Sequence, residues 1–195
     1  YIEKTKIIKD EKEFYKGIID PDLVNDKKES HYTGIQDKND LLSYLWQKVQ
    51  LNEYLKNESI SSDYQKGVFL HLITDYLFFN NFLDYDYLSN ISYSEFCKDL
   101  YYSYDITIDY LEEKYKIDYT EFLNQIKNNI EKDKKEKNTP NEIRTNILPF
   151  DNLDDFIEYV SNIDLEEYKN KIIEINKNIL PWIIQDDIMN KNLIT

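Results

Sequence analysis

The stretch 64–83 constrains the fold more than any other part of the chain. It holds one glycine and no proline. Its Leu70, Leu72, Ile73, Leu77, Phe78, Phe79 and Phe82 lie nearly all round a helical wheel. A helix apolar on every face belongs inside a bundle, where other helices cover it. The rest of the sequence can supply those partners, because breakers are rare: 3 Gly and 4 Pro in 195 residues, a pattern that favours long helices over many short strands. Asp40 reads as an N-cap for a helix carrying Leu41, Leu42, Leu45, Trp46, Val49 and Leu55, and 59–63 supplies the break and cap before the central helix. Ser94-Glu95 opens a helix to about Tyr115 through Phe96, Leu100, Tyr104, Ile108 and Leu111. Asp118-Tyr119-Thr120-Glu121 opens another that ends in the lysine-rich run 132–137, a solvated loop, before a turn at Thr139-Pro140. Asp151 and Asp164 cap two shorter helices, and Pro181-Trp182 separates the second from a tail helix over 183–194. These patterns predict an all-α, single-domain bundle of about six or seven helices spanning 1–195.

The first forty residues read differently. Residues 1–16 form a charged arm or short helix, and 17–39 reads as a loop punctuated by Gly17, Asp20-Pro21-Asp22, Asn25-Asp26 and Thr33-Gly34. Asp20 precedes Pro21, which biases it to an extended backbone. A loop of that length, rich in Asp and His, is uncommon unless it has work to do.

Charge excludes some functions. The formal net charge is −14, so the surface repels nucleic-acid phosphates and anionic lipid heads. An acidic rim also attracts divalent cations. The absence of alanine and the abundance of Ile, Asn, Lys and Tyr read as the coding bias of an AT-rich genome. Cys97 is the single cysteine, so neither an internal disulfide nor a cysteine-rich zinc site can form; Phe96, Leu100 and Tyr101 around it predict a buried thiol. No stretch reads as a transmembrane helix, and no secretory-signal pattern is visible, which together lead to the expectation of a cytoplasmic protein.

Chemistry concentrates at the two histidines, His31 and His71. His71 and Asp75 stand four residues apart on the central helix, on one face and one turn apart. A buried carboxylate and imidazole on so apolar a helix need compensation, and a divalent cation compensates both. Gly67, one turn before His71, leaves room for a ligand or loop, and Thr74 lies on nearly the same face. Asp22 and His31 in the preceding loop complete a set of two nitrogen and two oxygen donors suited to zinc. Without a cation, a hydrogen-bonded core histidine and an Asp75 bonded to a tyrosine hydroxyl would explain the same residues.

Gly17-Ile18-Ile19-Asp20-Pro21-Asp22, Ser30-His31-Tyr32 and Gly67-Val68-Phe69-Leu70-His71-Leu72-Ile73-Thr74-Asp75 together resemble the zinc-dependent phospholipase C family and the related P1-type nucleases. The small bacterial members carry a Gly-x-Ile-x-Pro-Asp loop, a Ser-His-Phe-like step and a Gly-Tyr-x-x-His-Leu-x-x-Asp helix. The resemblance covers 17–83; 84–195 matches only as generic helices. It implies an all-α fold, hydrolysis of phosphoesters, and one metal site built from Asp22, His31, His71 and Asp75. The family's second and third metals take further histidines, of which residues 1–16 and the chain after His71 have none. The expectation is therefore a mononuclear zinc hydrolase acting on a phosphoester or phospholipid-like substrate. Asp20 or Asp26 is the general-base candidate, and Tyr32, Tyr76 or Lys28 a substrate contact. The alternative is a non-catalytic helical protein whose metal pins 17–39 to the central helix as an interaction module. A metal-free helical scaffold is the third reading.

Overall fold

The computed structural model describes residue 1, residues 5–116 and residues 153–175. The described residues form an all-α bundle: α1 Glu11–Leu23, α2 Lys27–Ser30, α3 Leu41–Trp46, α4 Leu51–Asn57, α5 Asp63–Leu77 running into a π-helical turn Phe78–Phe82, α6 Tyr85–Leu88, α7 Tyr93–Tyr115, α8 Leu153–Ser161 and α9 over 165–175. No strand occurs among them, and no described helix is long and apolar enough to cross a membrane. The expectations for Asp118–Glu121, the lysine-rich run, Thr139-Pro140, the Asp151 cap and the tail after Pro181 lie outside the described residues.

Helix α5 is central, as its all-round apolarity predicts. Phe69, Leu72 and Ile73 are fully buried and join Phe14, Tyr54, Ile163 and Leu165 in one core. The π-helical turn carries Phe79 and Phe82 into a second core with Leu45, Leu88, Phe96 and Leu153. Ser62 starts α5 with a capping box, its hydroxyl accepting from the Gln65 backbone while the Gln65 side chain reaches back. Ser92 and Glu95 do the same for α7, two residues ahead of the expected opening at Ser94.

Two expectations near the N-terminus change. The stretch 17–23 is not loop: α1 continues through it with Pro21 inside its last turns. The reason is tertiary. Gly17 and Gly67 sit at the crossing of α1 and α5, so close that a Cβ on Gly17 would stand 2.0 Å from the Tyr64 carbonyl oxygen and one on Gly67 2.1 Å from that of Phe14. Gly67 thus makes room for a helix, neither for a ligand nor for a loop. Packing this tight outweighs the local bias set by Pro21. The two helices run parallel: Asp63, at the start of α5, accepts from the Lys9 and Asp10 backbone N–H groups at 2.9 and 2.7 Å, and the far end of α1 therefore arrives beside His71.

The second change is a break in the helix expected from Asp40. Asp40 caps α3 as expected, accepting from Ser43, but the helix stops after Trp46 and restarts at Leu51. The interruption receives the chain after α2: Gly34 N–H donates to Gln47 O at 2.9 Å and Gln50 N–H to His31 O at 3.4 Å. A continuous helix would use those groups internally.

Candidate metal centre

Three elements bring four side chains around a pair of facing imidazoles. Asp22 comes from the last turn of α1, His31 from the C-cap of α2, and His71 and Asp75 from successive turns of α5. The Nε2 atoms of His31 and His71 face each other at 3.1 Å, with their rings 5.1 Å apart and steeply inclined. Asp75 Oδ2 lies 3.3 Å from His31 Nε2 and 3.6 Å from His71 Nε2. Asp22 Oδ1 lies 3.6 Å from His31 Nε2, and donor atoms of Asp22, His31 and His71 all fall within 4.8 Å of one another. Donors at about 2.0–2.2 Å around a tetrahedral zinc stand roughly 3.3–3.6 Å apart. Three of the separations, Asp75 to each histidine and Asp22 to His31, fall in that range; the two imidazole nitrogens stand slightly closer, and the set whose donor atoms all lie mutually close is Asp22, His31 and His71.

One placement of the imidazole protons turns this cluster into a set of lone pairs. Ser30 Oγ sits 2.8 Å from His31 Nδ1. With Ser30 accepting from Nδ1–H, His31 Nε2 turns a lone pair toward carboxylate oxygens, which accept and do not donate. In that tautomer Nε2 and the carboxylate oxygens offer lone pairs to one place, as a cation takes them; in the other, with Ser30 donating to Nδ1, Nε2–H donates to Asp75 Oδ2. Two imidazoles and two carboxylates are donor types that suit a divalent transition metal, and Ser30 stands where it would fix the tautomer of a ligating His31.

Exposure is uneven across the cluster. His31 is 6% exposed, whereas the Asp22 side chain is 61% exposed. Desolvation against the protein opposes the charge on Asp22, but His71, Lys27 and His31 together pull harder and hold its carboxyl below its usual range. Beyond Asp22 and Asp75 opens a cavity of about 930 Å³, walled by Tyr44, Phe79, Leu100 and Tyr104. Desolvation of the hydroxyl, reinforced by the carboxylates of Asp75 and Asp22, pushes Tyr104 well above its ordinary value, although the residue as a whole is 37% exposed.

No protein-family model, curated protein or solved structure matches this chain. The site stands on its own geometry.

The other residues singled out in the sequence divide between two faces. Asp26 and Lys28 line the cavity, and Asp26 also caps α2, accepting from Lys28 N–H at 2.9 Å. Asp20 lies in a separate pocket with Tyr64 and Tyr32, where desolvation, together with the Asp20 carboxylate, raises the pKa of the Tyr64 hydroxyl. Tyr32 turns away too. Its φ of 53° is left-handed, an uncommon conformation for an aromatic residue, and its ring stands edge-on to Tyr54 at 5.6 Å. That turn sends the chain past His31 toward the α3–α4 break. Tyr76 packs against the first core, and Thr74 bonds back to Leu70 O at 2.8 Å; neither lines the cavity. Cys97 is half-buried beside Tyr93. Lys27 and Tyr104 escaped the sequence reading, because Lys and Tyr are too common here for any one to stand out.

Proposed function

We propose that the cluster of Asp22, His31, His71 and Asp75 holds one divalent metal ion, zinc by its donor chemistry, and that the protein is a metal-dependent phosphoester hydrolase with a mononuclear site, resembling zinc-dependent phospholipase C. One observation carries the reading: the donor atoms of Asp22, His31 and His71 lie within 4.8 Å of one another, Asp75 Oδ2 lies 3.3–3.6 Å from both imidazoles, and the cluster opens to a large cavity through the exposed carboxylate of Asp22. When bound there, such an ion supplies Lewis acidity that activates water and polarises a phosphoryl oxygen. The protein's own groups do the remainder. Asp26, on the cavity wall, is the general base in this reading; Asp20 faces Tyr64 and takes no part. The Tyr104 hydroxyl is the donor offered to a ligand in the cavity, and Leu100, Phe79 and Tyr44 line the apolar part of its wall.

A second reading, a non-catalytic helical module with a structural ion, is favoured by the donor count, since structural zinc closes its shell with four protein ligands and catalytic zinc keeps a position open. The exposure of Asp22 favours catalysis, because it leaves an approach to the cluster from the cavity. Elemental analysis together with hydrolysis of bis-p-nitrophenyl phosphate and short-chain phospholipids tests the proposal. The expectation is about one metal per chain, near none in His31→Ala, and turnover that disappears with the metal. One bound metal with no turnover would leave the structural reading. Turnover that survives His71→Ala would refute the site.

A further inference from the structure

The cavity beside the cluster is electrically unlike the rest of the molecule. The chain carries a net −14, yet the charged groups lining this cavity balance: Asp22, Asp26 and Asp75 against Lys27, Lys28 and Lys48. A divalent ion at the donor cluster would make the cavity net positive. Of the three lysines, Lys27 is the one built into place. Its Nζ donates to Pro21 O at 3.2 Å, to Asp22 O at 2.8 Å and to Asp22 Oδ1 at 2.8 Å. The two carbonyls belong to the last turn of α1, where helix carbonyls lack internal partners. They hold the ammonium whatever the Asp22 side chain does. The third donor of the ammonium is the one aimed at the cluster, toward the Asp22 oxygen that also lies nearest His31. Lys48 is placed differently, with its ammonium over the rings of Tyr44 and Phe79 at 5.0 and 5.2 Å.

We propose that Lys27 is the fixed cation of an oxyanion-binding position next to the donor cluster, and that it receives the phosphate group of the ligand. Resting on the metal-site reading above, this deepens it. Two backbone carbonyls anchor Lys27, and its third N–H passes from Asp22 Oδ1 to an oxygen of the bound phosphate. The loop 24–26, which joins α1 to α2, sets this up: it returns Lys27 under the end of the helix that carries Asp22, so ligand and anion donor are placed by one turn of chain.

Inorganic phosphate is the probe. Full-length protein loaded with stoichiometric zinc is titrated with phosphate by calorimetry, as wild type, Lys27→Met, Lys27→Arg and, as a remote charge control, Lys171→Met. Zinc content is measured for each. The expected result is one phosphate per zinc-loaded chain, weakened about tenfold or more in Lys27→Met, the size of a lost charged hydrogen bond. Lys27→Arg recovers most of the affinity and Lys171→Met leaves it unchanged. Equal phosphate affinity in Lys27→Met and wild type would overturn the proposal. So would a wild type that holds zinc and binds no phosphate, a result that leaves the metal site standing. A Lys27→Met protein that loses its zinc would make Lys27 a support of the metal shell and overturn the anion role. A wild type that takes up no zinc would overturn both readings together.

Discussion

Replacing Gly17 with alanine tests the link between the helix crossing and the site. The added Cβ would sit 2.0 Å from the Tyr64 carbonyl oxygen, 2.9 Å from its carbon and 3.0 Å from the Val68 nitrogen. All three are backbone atoms of α5, so no side chain can swing aside. Ordinary contact begins near 3.4 Å, and restoring it separates α1 from α5 by about 1.4 Å. Overpacking of this kind costs about 1–3 kcal/mol, and alanine's higher helix propensity returns at most ~1 kcal/mol. The displacement reaches the site because Asp22 lies on the same helix, little more than one turn beyond Gly17, while His71 and Asp75 lie on the helix pushed away. Metal donors tolerate roughly 0.2 Å. Urea unfolding of the metal-free protein followed by far-UV circular dichroism should therefore show a net loss of ~1–2 kcal/mol, and competition with a chromophoric chelator should show zinc affinity lowered by on the order of tenfold or more. Gly34→Ala is the contrast: its Cβ would meet the Gln47 side-chain oxygen at 1.8 Å, the movable end of a flexible chain, and both quantities should change little. A Gly17→Ala protein with wild-type stability and zinc affinity would refute the argument that this crossing positions the site.

Other perturbations address single interactions. Ser30→Ala removes the partner of His31 Nδ1 and should weaken zinc binding by about 10–100-fold, read by the same competition assay, while the circular dichroism spectrum stays unchanged. Asp63 is held down to about 2 from 3.8, chiefly by Lys66 and then by the Asp10 and Lys9 amides. A carboxyl lowered on folding stabilises above its unfolded value, and that contribution disappears as pH falls from 3.8 toward about 2. Urea midpoints should thus fall more steeply across this window in wild type than in Asp63→Asn; equal slopes would remove Asp63 from the account. Ser62→Ala deletes the hydroxyl of the α5 capping box and should destabilise by about 1 kcal/mol, lowering the melting temperature by about 2–4 °C with zinc stoichiometry unchanged.

The helices legible in the sequence were those long enough to show a period and flanked by side-chain caps. Helix α5 announces itself by its apolar circumference and α7 by a 3.6-residue stripe, although its cap is Ser92 and not the Ser94 at which the stripe reads as opening. Tertiary contacts decided the rest. Pro21 reads locally as a boundary, yet α1 runs through it because Gly17 and Gly67 let two backbones touch. The run from Leu41 to Leu55 reads as one helix, yet Gly34 and His31 claim the backbone groups of Gln47 and Gln50. Helices of four residues such as α2 and α6 are too short to have a readable period.

For the site, rarity was the signal. Two histidines in the whole chain, one of them four residues before an aspartate on the central helix, single out the cluster members His31, His71 and Asp75, and the Asp-Pro-Asp turn brings attention to Asp22. The supporting residues were hidden by abundance. Nothing in a chain with 18 tyrosines marks Tyr104, and only the return of the chain after α1 distinguishes Lys27 from its neighbours. Likewise, Asp20 and Asp26 look equivalent until the helical continuation of α1 turns Asp20 toward Tyr64.

X-ray absorption fine structure at the zinc edge of the loaded protein tests the convergence of the four donors most directly. The account predicts one zinc per chain with a first shell of nitrogen and oxygen at about 2.0–2.2 Å, two imidazoles in the outer-shell scattering, and loss of one imidazole in His71→Ala. A shell of six oxygens without imidazole scattering, or one containing sulfur from Cys97, would contradict it.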